Sequence, residues 1–237
     1  MDCVVSIFRS GKSGNNKLAE RARFSREVTA RLDANPFVKR ARVDAAQIYY
    51  FPNYLSPEEC ATLIDRIDAN RRPSTLLARH DDPEFRTSES CDLDRWAPEI
   101  QAIDERIAQL IGVPPEYGET MQGQRYAVGQ QFRAHCDYFH ETEDYWPAMV
   151  ESGGQRTWTA MAFLCPVAEG GATWFPRAGI RFAPKQGTLV LWNNMRMDGS
   201  PNYDTLHEGM AVLEGTKYII TKWFRERPWI RSSVRVY

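Results

Sequence analysis

From Asn15 to Asn35 the apolar positions Leu18, Ala22, Val28 and Leu32 recur near one helical face, with Arg and Glu elsewhere. This pattern predicts an amphipathic N-terminal helix whose role is packing. Apolar and polar residues alternate only irregularly around Ile48 to Phe51. Ser56-Pro57-Glu58-Glu59 then supplies an N-cap, a first-turn proline and a capping-box glutamate, and Cys60, Leu63, Ile64 and Ile67 follow at helical spacing. A third helix is predicted from about Pro98 to Ile111, with Ile100, Ile103, Ile107, Leu110 and Ile111 on one stripe. Gly112 stops it, and Pro114 and Pro115 prevent its continuation.

From Gln122 onward the texture changes. Short β-branched and aromatic segments, punctuated by Gly, Pro and Asn, predict strands near 122–126, 131–137, 157–164, 172–175, 187–192 and 217–224. Many short strands after a helical lead-in predict a mainly β domain with flanking helices, a sandwich or jelly roll braced by the helices. No internal repeat or linker breaks the chain. Its organisation reads as an N-terminal helical extension over 1–47 and one domain over 48–237, with helical support at 48–118 and a β core at about 119–229.

Composition narrows the function classes. A chain of 237 residues, 43% hydrophobic, can bury a full core. Thirty basic residues against 31 acidic ones leave a net charge of -1, so no global field attracts nucleic acid or an anionic membrane. Cys3, Cys60, Cys91, Cys136 and Cys165 are odd in number and never form a CxxC pair, which argues against a disulfide framework or structural zinc. No apolar run approaches the roughly 20 residues of a membrane span, and Met1 to Ser10 is too short and mixed for a secretory signal. A cytoplasmic setting is the expectation.

Chemistry concentrates at His135 and Asp137. Two residues apart in the segment Phe132–Tyr138, they share one face of a strand, while Cys136 points to the core on the other. A third ligand must come from His80, His140 or His207, and His207 stands out because Lys217 follows it ten positions later on a strand. His140 and His80 lie in charged segments and read as solvated. Two histidines and one carboxylate leave three positions of an octahedral ferrous ion open, which suits a chelating keto acid plus O2, although zinc hydrolysis could use the same ligands. A His-x-Asp pair alone is a weak signal. Trp158, Trp174 and Trp192 read as core, and the Arg-rich tail from Arg225 to Arg235 as a solvated terminus.

Longer motifs add specificity. Gln122-Gly-Gln-Arg-Tyr-Ala-Val-Gly-Gln-Gln-Phe-Arg-Ala-His135-Cys-Asp137 resembles the prolyl 4-hydroxylase segment Q-x-x-R-Y-x-x-G-Q-x-Y-x-x-H-x-D. The run from His207-Glu-Gly through Gly-Thr-Lys217 to Trp223 is similar to that family's H-x-G-x-P-V-x-x-G-x-K-x-x-x-x-x-W. Gly170-Gly-Ala-Thr-Trp-Phe-Pro176 and Pro184-Lys-Gln-Gly-Thr-Leu-Val-Leu-Trp192 keep the family's order, and the resemblance spans residues 48–229.

The resemblance implies a double-stranded β-helix, a jelly-roll core, using Fe(II), 2-oxoglutarate and O2, with ascorbate as reductant. By position, His135, Asp137 and His207 would ligate iron, Lys217 would pair with the distal carboxylate of 2-oxoglutarate, and Tyr126 would hydrogen-bond it. Thr221 and Trp223 would line the cofactor and substrate side. Arg156, Arg86, Ser88 and Glu119 match peptide-contacting positions. The implied reaction hydroxylates a prolyl residue of a peptide or protein at the 4-position, yielding succinate and CO2, with no nucleic-acid or membrane partner. Phe132 stands where the family often has Tyr, Ala172 where it often has Glu, and Met210-Ala211 where it often has Cys-Pro. A free amino acid or small metabolite is the alternative substrate, and a non-catalytic cupin-like metal-binding protein the alternative class. The segments 141–155 and 193–205 flank the ligands and are expected to form a lid.

Overall fold

A computed structural model describes residues 10–77 and 81–229, so His80, Cys3 and the tail beyond residue 229 lie outside the described residues. The predicted helices are present as Ser10–Asp33, Pro57–Asn70 and Pro98–Ile111. Ser56 Oγ accepts the Glu59 N–H at 3.1 Å while the Glu59 carboxylate accepts the Ser56 N–H at 2.9 Å, completing the capping box. Gly112 closes the third helix at φ 74°, where its N–H bonds the Ala108 carbonyl.

Eight strands form the major sheet. Its order is Lys39–Arg40, Ile48–Phe51, Leu189–Asn193, Arg156–Phe163, Lys217–Arg225, Gln122–Tyr126, Glu89–Asp92 and Arg72–Pro73. A minor sheet of four strands runs Ile180–Phe182, Thr173–Phe175, His207–Gly209 and Phe132–His135. Every strand pairing is antiparallel. The two sheets and the helices behind the larger one make the jelly-roll, double-stranded β-helix architecture with flanking helices.

Period-two alternation divides the core. On one face of the major sheet, Trp158, Ala160, Ala162, Leu189, Leu191, Ile220 and Phe224 pack against Leu63, Ile67, Ile103 and Ile107 of the helices, and against Val28 and Leu32 of the N-terminal helix. On the other face, Met161, Phe163, Val190, Trp192 and Ile219 meet Phe175 and Val212 from the opposing strands. Fully buried apolar side chains of this kind contribute roughly 1.5–3 kcal/mol each. Close approach is built in at Gly123, where a Cβ would lie 2.4 Å from Ile67.

Several expectations change. The strand expected over 131–137 ends at His135, leaving Asp137 in a bend, because the chain turns there toward the short helix Trp146–Glu151. Cys136 consequently escapes strand parity: it is half-buried and lines an open groove instead of the core. Trp158 and Trp192 are core, but Trp174, on the outer face of the minor sheet, is 38% exposed. The strands Glu89–Asp92, Ile180–Phe182 and Val212–Glu214 were not foreseen, being too short to show a period.

Candidate active site

Sheet register assembles a candidate metal centre. His207 and His135 are direct partners across the antiparallel pair of minor-sheet strands, so both imidazoles leave the same face with ring centroids 4.4 Å apart. Asp137 Oδ1 lies 3.9 Å from His135 Nε2, and Asp137 Oδ2 lies 3.9 Å from His207 Nε2. The three ligand atoms are all within 4.8 Å of one another, too far apart to hydrogen-bond and close enough for one ion to touch all three. His140 is exposed on the groove wall, outside this cluster.

Tautomers follow from the partners of the other ring nitrogens. His135 Nδ1 faces the Arg133 carbonyl at 2.8 Å and His207 Nδ1 faces the Thr205 carbonyl at 3.0 Å. A carbonyl only accepts, so each Nδ1 carries the proton and each Nε2 presents a lone pair to the centre. Burial above all pulls His135 down to about 3, so it is a neutral ligand at ordinary pH. Burial alone would raise the Asp137 carboxyl; the neighbouring histidines, Arg156 and the Thr159 hydroxyl outweigh it and hold the pKa below the usual range. Thr159 donates to Asp137 Oδ2 at 2.7 Å and accepts from Asn194 Nδ2 at 2.9 Å. Neither residue was singled out in the sequence, since only tertiary packing joins positions 137, 159 and 194.

A narrow cavity leads from the triad to Lys217, walled by Tyr126, Gln124, Thr173, Trp192, Thr221 and Trp223 among others. Lys217, Ile219, Thr221 and Trp223 alternate along one strand and face inward together, as parity predicts. Lys217 is 1% exposed, and among the described residues its ammonium has no carboxylate partner; its polar contact is Thr173 Oγ1 at 3.4 Å. Burial alone drags its pKa down to about 7. A buried cation with no counterion, across a cavity from three converging metal ligands, fits a ligand that chelates iron at one end and carries an anion at the other. Tyr126 is the cross-strand partner of Lys217, with its ring centroid 5.0 Å from Nζ, and its hydroxyl donates to Gln124 Oε1 at 2.7 Å. Gln124 in turn donates to Thr221 Oγ1 at 3.3 Å. Gln124 shares strand parity with Tyr126 and Thr173 sits in the quoted glycine motif, so both were within reach of the sequence.

An open groove of about 1950 Å³, its solvent-facing part included, passes over the triad. Of the proposed substrate residues, Arg86, Glu119, Arg156 and Trp223 line it, whereas Ser88 is buried behind it against Ser74. Arg156 grips Glu119 through two hydrogen bonds of 2.6 and 2.7 Å and lies 4.0 Å over the Trp223 ring. Arg225, expected to open a solvated tail, is instead 3% exposed at the end of its strand and also donates to Glu119 at 2.6 Å, because the buried carboxylate draws it inward. Burial would raise the Glu119 carboxyl, but the two guanidiniums hold it low. Arg86 donates to Gln122 Oε1 and to the Thr75 carbonyl and lies 4.6 Å over Phe132.

Comparisons with known proteins agree with this geometry. Residues 121–225 match the model of the 2OG-Fe(II) oxygenase superfamily, a span holding all three metal ligands and Lys217. Prolyl 4-hydroxylase 1 of Arabidopsis thaliana is 34% identical over 201 residues, covering 76% of this chain and 69% of that protein. Prolyl 4-hydroxylase 13 of the same plant is 30% identical over 203 residues, covering 77% and 72%. Among solved structures, the viral collagen prolyl hydroxylase of Paramecium Bursaria Chlorella virus-1 in its 2OG complex superposes with a TM-score of 0.60 at 24% identity, covering 81% of this chain and 97% of that one. That likeness concerns the fold. Matches of this extent to whole relatives, on a chain whose triad and buried lysine are in place, show that it belongs to the prolyl 4-hydroxylase family of Fe(II)- and 2-oxoglutarate-dependent dioxygenases.

Proposed function

We propose that the enzyme hydroxylates prolyl residues of a peptide or protein at the 4-position. The observation that carries this reading is the groove: its lining includes the metal ligands His135 and Asp137 together with Phe85, Phe132, Tyr145, Trp223 and Trp229. Aromatic walls suit an extended, proline-containing chain, which binds without first losing much conformational entropy. The names of related proteins agree, among them the viral collagen hydroxylase and a Trichoplax adhaerens prolyl hydroxylase solved with a hypoxia inducible factor peptide.

When bound, Fe(II) and 2-oxoglutarate supply the oxidant: O2 and 2-oxoglutarate give succinate, CO2 and one oxygen atom for the substrate. His135, Asp137 and His207 would hold the metal, and three protein ligands would leave room on it for the keto acid and O2. Lys217 and Tyr126 would anchor the distal carboxylate of the keto acid from the far end of the cavity. Thr159 fixes the Asp137 carboxylate, and Trp192 and Phe175, with ring centroids 4.8 and 5.3 Å from that of His207, shield the centre from water. Trp223 lines both the cavity and the groove and would be shared by the cofactor and the substrate.

The test is anaerobic reconstitution with Fe(II), addition of 2-oxoglutarate and O2, and measurement of succinate with and without proline-rich peptides. Succinate stimulated by peptide, with hydroxyproline formed in step and both lost in His135→Ala, is expected. Succinate without any modified peptide, but with an oxidised free amino acid, would replace the substrate class; no succinate at all would mean a metal-binding protein without turnover.

A further inference from the structure

The N-terminal helix Ser10–Asp33 contains a buried charge that the proposed chemistry does not use. Arg21 is 3% exposed, yet its guanidinium lies 2.7 Å from the Glu141 carboxylate and 2.5 Å from that of Glu226. These carboxylates belong to two different parts of the site. Glu141 follows His140 in the segment after Asp137, in which His140 and Tyr145 line the groove. Glu226 follows Arg225, which holds Glu119 and so Arg156.

The base of the Glu141 segment is clipped separately. Buried Gln155 accepts the Phe139 N–H at 2.6 Å and donates to the Phe139 carbonyl at 2.9 Å. Beyond that clip, His140 N–H donates to the Tyr145 hydroxyl, and the ion pair from Arg21 holds the start of the segment while Arg227 donates to the Val150 carbonyl nearer its end. On the same turn of the helix, Leu18 and Ala22 receive the other loop. A Cβ on Gly199 would lie 2.1 Å from the Leu18 carbonyl and 3.0 Å from Ala22 N, so the loop leading to Tyr203, Leu206 and His207 lies flush on the helix.

We infer that the turn Leu18–Ala22 braces both walls of the groove mouth, with Arg21 a positioning residue for peptide engagement. Among the described residues no hydrogen bond or ion pair joins the helix to His135, Asp137, His207 or Lys217, so its effect should fall on the peptide and spare the iron and 2-oxoglutarate sites. The idea rests on the peptide-hydroxylase reading above.

The test compares Arg21→Gln and Glu141→Gln with wild type. Arg21→Gln is expected to raise the peptide KM by about fivefold or more, because loosening a wall of the site costs alignment. Peptide-independent succinate formation and the KM for 2-oxoglutarate should stay within about twofold. Glu141→Gln, whose side chain is 40% exposed, should shift the peptide KM in the same direction by less and cannot unfold the core. Backbone hydrogen exchange over residues 140–152 should quicken in both. An unchanged peptide KM, or a parallel loss of peptide-independent turnover, would overturn the brace. Should Arg21→Gln fail to fold, Glu141→Gln decides alone. Should wild type hydroxylate no peptide, the substrate reading fails, and exchange over 140–152 judges the brace: quickened exchange supports it and unchanged exchange overturns it.

Discussion

Lys217 and Lys222 lie on one strand, each 1% exposed or less, on opposite faces of the major sheet. Lys222 faces the helices and meets Asp104 of the third helix at 2.5 Å, an ion pair held by proximity without in-line hydrogen-bond geometry. Burial pulls its pKa down, and Asp104 pulls it partly back. Lys217 faces the iron side and has burial alone acting on it. The fold thus completes one buried lysine from its own residues and leaves the other for a ligand. The presence of an internal acid beside one lysine and not beside the other marks Lys217 as the candidate for ligand binding, since burial is the same for both.

The largest expected effect comes from breaking the completed pair. Lys222→Met should cost up to about 3–5 kcal/mol by leaving buried Asp104 with only the more distant Arg95, 3.7 Å away, and Lys222→Met/Asp104→Leu should recover part of it, both read by denaturant unfolding. Lys217→Met should do the opposite in the ligand-free protein, raising Tm, because it removes a buried cation with no partner. The same variant should lose the thermal stabilisation that wild type gains from 2-oxoglutarate.

pH separates the lysines further. Lys217 titrates near 7 folded and near 10.5 unfolded, so above pH 7 the unfolded chain binds more protons and this site's contribution to stability rises with pH up to about 10.5. Binding of the keto-acid dianion needs the charged form. Its affinity for the metal-loaded protein should therefore be greatest below pH 7 and fall by up to about tenfold per unit above it, until the raised pKa of the complex is reached. Calorimetric titrations between pH 6.5 and 8.5, run anaerobically, would show this slope; Lys217→Arg, always charged, should flatten it. The smallest effect is expected of Thr173→Val, which removes the hydroxyl beside Lys217: 2-oxoglutarate affinity should weaken by about 1 kcal/mol, roughly fivefold.

Much of this was legible in the sequence because it is carried by local rules. Capping residues placed the helix at Pro57, and parity placed Lys217, Thr221 and Trp223 on one face. Motif order paired His207 with His135 before the register was known. The rest depends on contacts between distant segments. Nothing near Thr159 or Asn194 announces that they hold Asp137, and Arg156 and Glu119, both read as substrate contacts, turn out to be bonded to each other. Arg21 read as an ordinary polar position on an amphipathic helix until Glu141 and Glu226 were brought to it.

The most direct test of the account follows oxygen. Turnover under ¹⁸O2 with a proline-rich peptide should place one labelled atom in hydroxyproline and one in succinate, with equal amounts of the two products, and Lys217→Met should lose both together unless 2-oxoglutarate is greatly raised. A hydroxyl oxygen drawn from water alone, or hydroxylation that persists without 2-oxoglutarate, would contradict it.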